Sequence, residues 1–331
     1  MPRVVRFHKF GGPEVLKIED VEVGAPGDDE VKIKVQAIGL NRAEIVFREG
    51  KYLERDVDFP SKIGYEAAGI VEAIGAKVTS CKVGDKVSTI PSFSMQKYGI
   101  YGEVVIVPES AVAHYPDQLT PEEATAIWMQ YLTAYGALIE FGQTKPDDYV
   151  VVTAASSSVG FAAIQIVKDL GATVIATTRS SDKKQALLDA GADFVVVTDE
   201  EDLERRVQQI TKGKGSRVIF DAIAGTFLKD LADLAAPEAT IFVYGALSMM
   251  PTPFPLMMAL KKGLNIRGYT LFEITGHADR LARAKKFVYD HVKAGKLKPV
   301  IDQVFDFDDI ADAHRHMQSN NQIGKIIVRL K

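Results

Sequence analysis

Residues 150–160 read Val150-Val151-Val152-Thr153-Ala154-Ala155-Ser156-Ser157-Ser158-Val159-Gly160: an apolar run, a chain of small residues, then the start of a helical pattern. Small side chains let a backbone approach a pyrophosphate, and a helix N-terminus offers unsatisfied N–H groups and the positive end of its dipole. Ser156, Ser157, Ser158, Val159 and Gly160 are therefore candidate ligands of a dinucleotide phosphate. Only Gly160 survives from a strict G-x-G-x-x-G, so the same residues also fit an ordinary strand-to-helix turn. The end of the following strand distinguishes one dinucleotide from another, because an acid there binds the ribose hydroxyl of NAD. Here the residues are Ala176-Thr177-Thr178-Arg179-Ser180-Ser181-Asp182-Lys183-Lys184, with Asp182 past the expected position. Arg179, Ser180 and Lys183 suit a dianionic ribose phosphate through charge-assisted hydrogen bonds, which favours NADPH. The competing reading is a solvated basic helix start.

The elements around these residues supply the scaffold. Tyr149 to Ala154, Thr173 to Thr177, Phe194 to Val197, Arg217 to Asp221 and Thr240 to Tyr244 read as near-continuous apolar strands. Helical patterns lie between them, at Val159 to Leu170, Asp182 to Ala190, Asp202 to Ile210 and Thr226 to Ala235. That alternation means a parallel sheet covered on both faces. The first third instead shows short alternating strands, such as Val31 to Val35, Gly69 to Gly75 and Val104 to Pro108, separated by turns. These suggest a small barrel-like β domain. Thr120-Pro121-Glu122-Glu123 carries a helix start with a capping box, and a long apolar helix is expected through Trp128, Leu132 and Leu138. Leu264 to Leu271 reads as a further strand, Ala278 to Ala294 as a basic amphipathic helix and Ile323 to Val328 as a terminal strand.

Composition narrows the function class. The chain has 331 residues, 47% hydrophobic and 25% charged, which fits a globular protein and argues against disorder or a coiled coil. A net charge of -4 gives no basic field for nucleic acid. The lone Cys81 permits neither an internal disulfide nor a cysteine-based zinc cluster. No apolar run is long enough to span a membrane and Met1 to Phe10 lacks a signal-peptide core, so a cytoplasmic enzyme is expected.

Ordered motifs along nearly the whole chain carry a resemblance. They are Phe10-Gly11-Gly12-Pro13-Glu14-Val15-Leu16, Gly39-Leu40-Asn41-Arg42-Ala43-Glu44, Gly64-Tyr65-Glu66-Ala67-Ala68-Gly69-Ile70-Val71, Val83-Gly84-Asp85-Lys86-Val87, Tyr131-Leu132-Thr133-Ala134-Tyr135 and Ala154 to Gly160. The chain resembles the zinc-free quinone oxidoreductases of the medium-chain dehydrogenase/reductase superfamily, a group that includes ζ-crystallin. The resemblance implies an α/β fold in which a Rossmann doubly wound parallel sheet is inserted into a GroES-like β-barrel domain. Residues 1–124 and 269–331 would form the GroES-like domain and 125–268 the Rossmann domain. NADPH in the cleft and a homodimer are also implied.

The same resemblance assigns roles. Asn41 would lie beside the nicotinamide and substrate, Thr133 would contact the nicotinamide end, and Tyr52 would polarise or protonate the substrate oxygen. Tyr65 would line the same pocket, and the backbone of Tyr244, Gly245 and Ala246 would meet the carboxamide. Ordinary packing of both tyrosines, a helix hydroxyl bonded to its own backbone and a plain strand-to-loop turn are the alternatives at these positions. Asn41 and Tyr65 stand where the zinc branch of the superfamily has a cysteine and a histidine, so no metal is expected. His314 and His316 do not share a helix face and are expected at the surface. Departures from the family pattern are Ser157-Ser158 for a Gly-Gly turn, Thr198 for a tyrosine and Ala246 for an asparagine.

Leu247 to Met258 is unusually apolar for a proline-rich connection and suits a substrate cover, a subunit interface or core packing. Lys285, Lys286, Lys293, Lys296 and Lys298 form a cationic run best read as a solvated helix face. The expectation is a zinc-independent NADPH oxidoreductase passing hydride to a quinone or other α,β-unsaturated carbonyl. An enoyl-thioester reductase and a non-catalytic NADPH-binding structural or sensor protein remain as alternatives.

Overall fold

The computed structural model describes the whole chain, Met1–Lys331, and separates it into two units. One comprises Met1–Met129 and Pro299–Lys331, the other Gln130–Lys298. The first begins with strands β1 (Arg3–Arg6), β2 (Lys17–Asp20), β3 (Glu30–Gly39), β4 (Glu66–Ile74), β5 (Lys86–Thr89), β6 (Val104–Pro108) and β7 (Val112–His114). The second carries β8 (Tyr149–Val152), β9 (Thr173–Thr178), β10 (Phe194–Val197), β11 (Ser216–Asp221), β12 (Ala235–Val243) and β13 (Asn265–Gly268). The chain returns to the first unit with β14 (Ile301–Asp306) and β15 (Lys325–Arg329).

In the first unit β3 is the hub. It pairs antiparallel with β4, β6 and β15, and the sheet runs β14-β15-β3-β4-β5-β7 with β6 alongside β3. Val31, Ile33 and Val35 alternate inward while Lys32 and Lys34 stay less buried, as one packed face requires. Register shifts at Lys32/Ile33 and Val35/Ala37 bend the strand. Gly69 lies so close to β3 that a Cβ there would sit 2.0 Å from the Lys34 carbonyl oxygen, which is why no side chain fits.

In the second unit the strands are parallel in the order β10-β9-β8-β11-β12-β13, the doubly wound arrangement. Val151, Ile175, Val196, Ile219 and Ile241 form one buried layer with Val207, Leu228 and Leu231 from two helices, Leu203–Ile210 and Phe227–Leu234. Each such side chain contributes about 1.5–3 kcal/mol by leaving water. Helices end where expected, at Gly171 with φ +76° and Gly191 with φ +105°.

Three expectations change. The capping box forms, with Glu123 N–H donating to the Thr120 hydroxyl and Thr120 N–H to the Glu123 carboxylate. The single long helix, however, is three pieces: Pro121–Ala124, Trp128–Tyr135 and a π-helical turn Gly136–Phe141. The Glu66 carboxylate causes a fresh start by accepting from the amides of Trp128 at 3.2 Å and Met129 at 2.8 Å. The strand expected over Leu264 to Leu271 stops at Gly268, and a helical turn Phe272–Thr275 follows. Core packing holds in the apolar connection for Met258, which lies against the core of the second unit, but not for Met249, Met250, Phe254, Leu256 and Met257, which are 54–74% exposed.

Candidate active site

In the second unit, Ser157 caps the helix Ser158–Asp169, its hydroxyl accepting from Gly160 N–H at 3.1 Å. The amides of Ser158 and Val159 lie in the first turn, where a helix has no internal acceptor to offer. Ser156 to Val159 are only half-buried, so their backbone is open to a ligand. At Gly160 a Cβ would meet the Ala155 carbonyl oxygen at 2.3 Å; the helix start is pressed onto the strand end as a dinucleotide turn demands. Ala154 takes a left-handed φ of 45° to make the turn. These features fit a cofactor pyrophosphate, with serines in place of glycines.

The neighbouring strand ends are tied together. The Thr153 hydroxyl donates to Asp221 at 2.7 Å and accepts from Ala222 N–H at 2.9 Å. Asp221, with its carboxyl pushed up by burial, also accepts from the amides of Ile223 and Ala224. Tyr244 stacks on Phe220, ring centroids 4.0 Å apart. Its amide bonds to the Asp221 carbonyl, and Leu247 N–H to that of Ala222, so the chain through Gly245 and the exposed Ala246 is held against this edge. Neither Asp221 nor Thr153 was among the residues expected at the site. The only sequence signal was an acid ending an apolar strand.

At the end of β9, Arg179 and Ser180 are exposed, as a phosphate ligand should be, whereas Lys183 is buried. The Ser180 hydroxyl donates to Asp182, and that bond holds the Asp182 carboxyl below its ordinary range. An acid therefore stands beside the basic residues at this turn. Thr133 is buried on the helix Trp128–Tyr135.

In the first unit, Asn41 is the N-cap of the helix Arg42–Arg48 and is buried. Its Nδ2 donates to the Gly39 carbonyl at 3.2 Å and to Glu44 at 3.3 Å, and its Oδ1 accepts from the Lys325 ammonium at 2.6 Å. Lys325 pairs in turn with Glu66. Tyr52 and Tyr65 come together: the Tyr65 hydroxyl donates to the Tyr52 hydroxyl at 3.4 Å, and their rings meet edge-on. Burial pushes both phenols up, so both keep their protons at neutral pH. Nowhere do three His, Cys, Asp or Glu side chains converge as a metal centre would need.

His314 is not at the surface. It is fully buried, with Nε2 3.2 Å from the Tyr101 hydroxyl and Nδ1 3.3 Å from the Arg48 guanidinium. Burial beside Arg48 lowers its pKa to about 3, so the ring is neutral. His316 is half-buried and pairs with Asp302. In the cationic run, Lys286 pairs with Asp290 and Lys296 with Asp169.

Two family models match the chain: a zinc-binding dehydrogenase model over residues 158–288 and an alcohol dehydrogenase GroES-like domain model over 27–117. The human quinone oxidoreductase is 32% identical over 333 residues, covering 99% of this chain and 98% of its own. The crystal structure of Escherichia coli quinone oxidoreductase complexed with NADPH is similar with a TM-score of 0.90 at 29% identity, covering 99% of each chain. A crystal structure described as an NAD-dependent alcohol dehydrogenase is similar with a TM-score of 0.89 at 30% identity, over 99% of this chain and 100% of that one.

Proposed function

Since the chain belongs to the medium-chain dehydrogenase/reductase superfamily, as a quinone oxidoreductase-like member, we propose that it is a zinc-independent NADPH oxidoreductase whose acceptor is a quinone or another α,β-unsaturated carbonyl. The observation that carries the reading is the hydrogen bond from the Tyr65 hydroxyl to the Tyr52 hydroxyl, with Tyr65 at the position that, by the resemblance, the zinc branch fills with a histidine. NADPH, when bound, supplies the hydride. The amides of Ser158 and Val159 take the pyrophosphate, Arg179 takes the ribose phosphate, and Gly245 and Ala246 offer backbone groups to the carboxamide, with Thr133 at the nicotinamide end. Tyr65 donates to the Tyr52 oxygen, which leaves the Tyr52 proton directed to the substrate oxygen, where it polarises the carbonyl and is delivered as hydride arrives. Asn41 borders the same substrate.

No metal is required by this reading: Asn41 Oδ1 already faces an ammonium, and the phenol of Tyr65 is a protonated donor. The exposed side chains between Met249 and Leu260 offer on the order of 700 Å² of apolar surface at roughly 200 Å² each, near the ~800 Å² per partner of a standard interface. They lead to β13, the edge of the parallel sheet, and a homodimer through this surface in the cytoplasm completes the proposal.

The test follows nicotinamide absorbance of the metal-free, chelator-treated protein. NADPH or NADH is offered with a simple quinone, an enone or an enoyl thioester. Oxidation of NADPH by quinone or enone is expected. Preference for the thioester would move the assignment to enoyl reduction. Tight NADPH binding with no oxidation by any acceptor would indicate a binding protein.

A further inference from the structure

The proposed reaction leaves one buried carboxylate of the first unit without a task. Glu44 is wholly inaccessible, yet its two oxygens accept from four donors. Oε2 accepts from Asn41 N–H at 2.7 Å and the Tyr101 hydroxyl at 2.6 Å. Oε1 accepts from Tyr65 N–H at 3.0 Å and Asn41 Nδ2 at 3.3 Å. A capping box accounts only for the Asn41 amide. Of the other three bonds, one holds the Asn41 side chain and two tie the helix start to Tyr65, twenty-one positions away in sequence, and to Tyr101, fifty-seven away.

We propose that Glu44 is a positioning residue for the reaction, its single carboxylate fixing both the Asn41 side chain and the backbone that carries the Tyr65 phenol. The inference rests on the reading of Asn41, Tyr52 and Tyr65 given above. The Tyr65 hydroxyl only just reaches Tyr52 at 3.4 Å, so a small rotation of the Tyr65 backbone disconnects the pair. Donor positioning of this kind is sensitive to displacements of about 1 Å.

Every neighbour of Glu44 is a donor, which makes its charge state matter. Lys325, itself paired with Glu66, faces it from β15 through Asn41; Tyr101 lies between it and neutral His314, with the Arg48 guanidinium beyond; Tyr52 and Tyr65 face it on the remaining side. Burial outweighs these donors and pushes the Glu44 carboxyl up to about 7. Protonation adds a fifth hydrogen to a site with four, and one donor must withdraw.

The test compares wild type, Glu44→Gln and Tyr101→Phe as full-length protein saturated with NADPH. NADPH affinity, turnover from pH 5.5 to 9 and the amide proton shift of Tyr65 in tyrosine-labelled protein are measured. Affinity should stay within about twofold in both variants. Glu44→Gln should lower turnover about tenfold or more and abolish its fall toward acid pH. Tyr101→Phe removes one donor to the carboxylate, so it should keep most turnover and move that acid limb to higher pH. The Tyr65 amide should titrate in wild type and not in Glu44→Gln. An acid limb unmoved by both substitutions, or a Tyr65 amide indifferent to pH, would overturn the proposal. Should Glu44→Gln fail to fold, Tyr101→Phe alone decides the limb. Should wild type turn over no acceptor, the reaction assignment fails on its own, while the Tyr65 titration still decides whether Glu44 controls that backbone.

Discussion

Replacing Arg179 by alanine should cost NADPH binding much more than NADH binding. Arg179 is exposed at the end of β9, so its guanidinium acts through water rather than through a protein interior. At about 4 Å and a dielectric near 80, one charge pair contributes roughly 1 kcal/mol, and a ribose phosphate dianion about twice that. The expected loss is therefore about tenfold to thirtyfold in NADPH affinity, shrinking as salt is raised, with NADH changed less than about twofold. Lys183, buried in the following turn, is the other cation expected at this contact. Asp182 supplies the opposite sign: its carboxylate, bonded to Ser180, repels the same phosphate and competes for the Ser180 hydroxyl. Asp182→Ala should consequently tighten NADPH a few-fold. The assay is a titration of nicotinamide fluorescence at two salt concentrations for both cofactors. If Arg179→Ala leaves the ratio of NADPH to NADH affinity unchanged, the phosphate is not held at this turn and the cofactor reasoning fails.

Other substitutions test other links. Tyr52→Phe should lower turnover about a hundredfold while NADPH affinity holds, and wild-type turnover would remove Tyr52 from the chemistry. Lys325→Met leaves Glu66 charged and buried, so urea unfolding should show a loss of about 3–5 kcal/mol; a loss under about 1 would mean the pair is incidental. Met257→Glu should turn a dimer into a monomer by light scattering without changing the thermal midpoint much, and an unaffected oligomer would place the interface elsewhere. His314 titrates near 6.5 when unfolded and near 3 when folded, so the unfolded chain binds the extra proton and stability drains away as pH falls below about 6.5. His314→Gln should flatten that acid slope in thermal melts, and a slope identical to wild type would show that His314 does not set it.

The parallel sheet was legible because its strands are buried on both faces and read as unbroken apolar runs, punctuated by Gly171 and Gly191 at helix ends. The strand, small-residue turn and helix around Ser156 to Gly160 were legible from local residue types, whereas the Ser157 cap was not foreseen. What escaped the sequence was set by distant partners. Nothing between Ala124 and Trp128 announces a break in the helix; Glu66, some sixty residues earlier, makes it by capping the second piece. His314 sits two residues from the half-exposed His316, and only Arg48 and Tyr101 reveal that it belongs to the interior. The Met249 to Leu260 side chains have a core-like composition, and no local rule distinguishes a core from a face awaiting a partner.

The proposed reaction offers Asn41 and Tyr52 as alternative donors to the substrate oxygen, and their hydrogen bonds rank them. Asn41 has both ends of its amide committed: Oδ1 to Lys325, Nδ2 to the Gly39 carbonyl and to Glu44. To donate to a substrate it must surrender one of these, and a buried acceptor left without a donor costs about 1–3 kcal/mol. Tyr52 surrenders nothing, because it accepts from Tyr65 and spends no proton in doing so. The bond it accepts also stabilises the phenolate relative to the phenol, making Tyr52 the stronger acid of the two tyrosines, while Tyr65 is made the weaker. Within the proposed reaction, polarisation of the carbonyl therefore falls to Tyr52, and Asn41 is assigned the wall that the Glu44 carboxylate would hold in place.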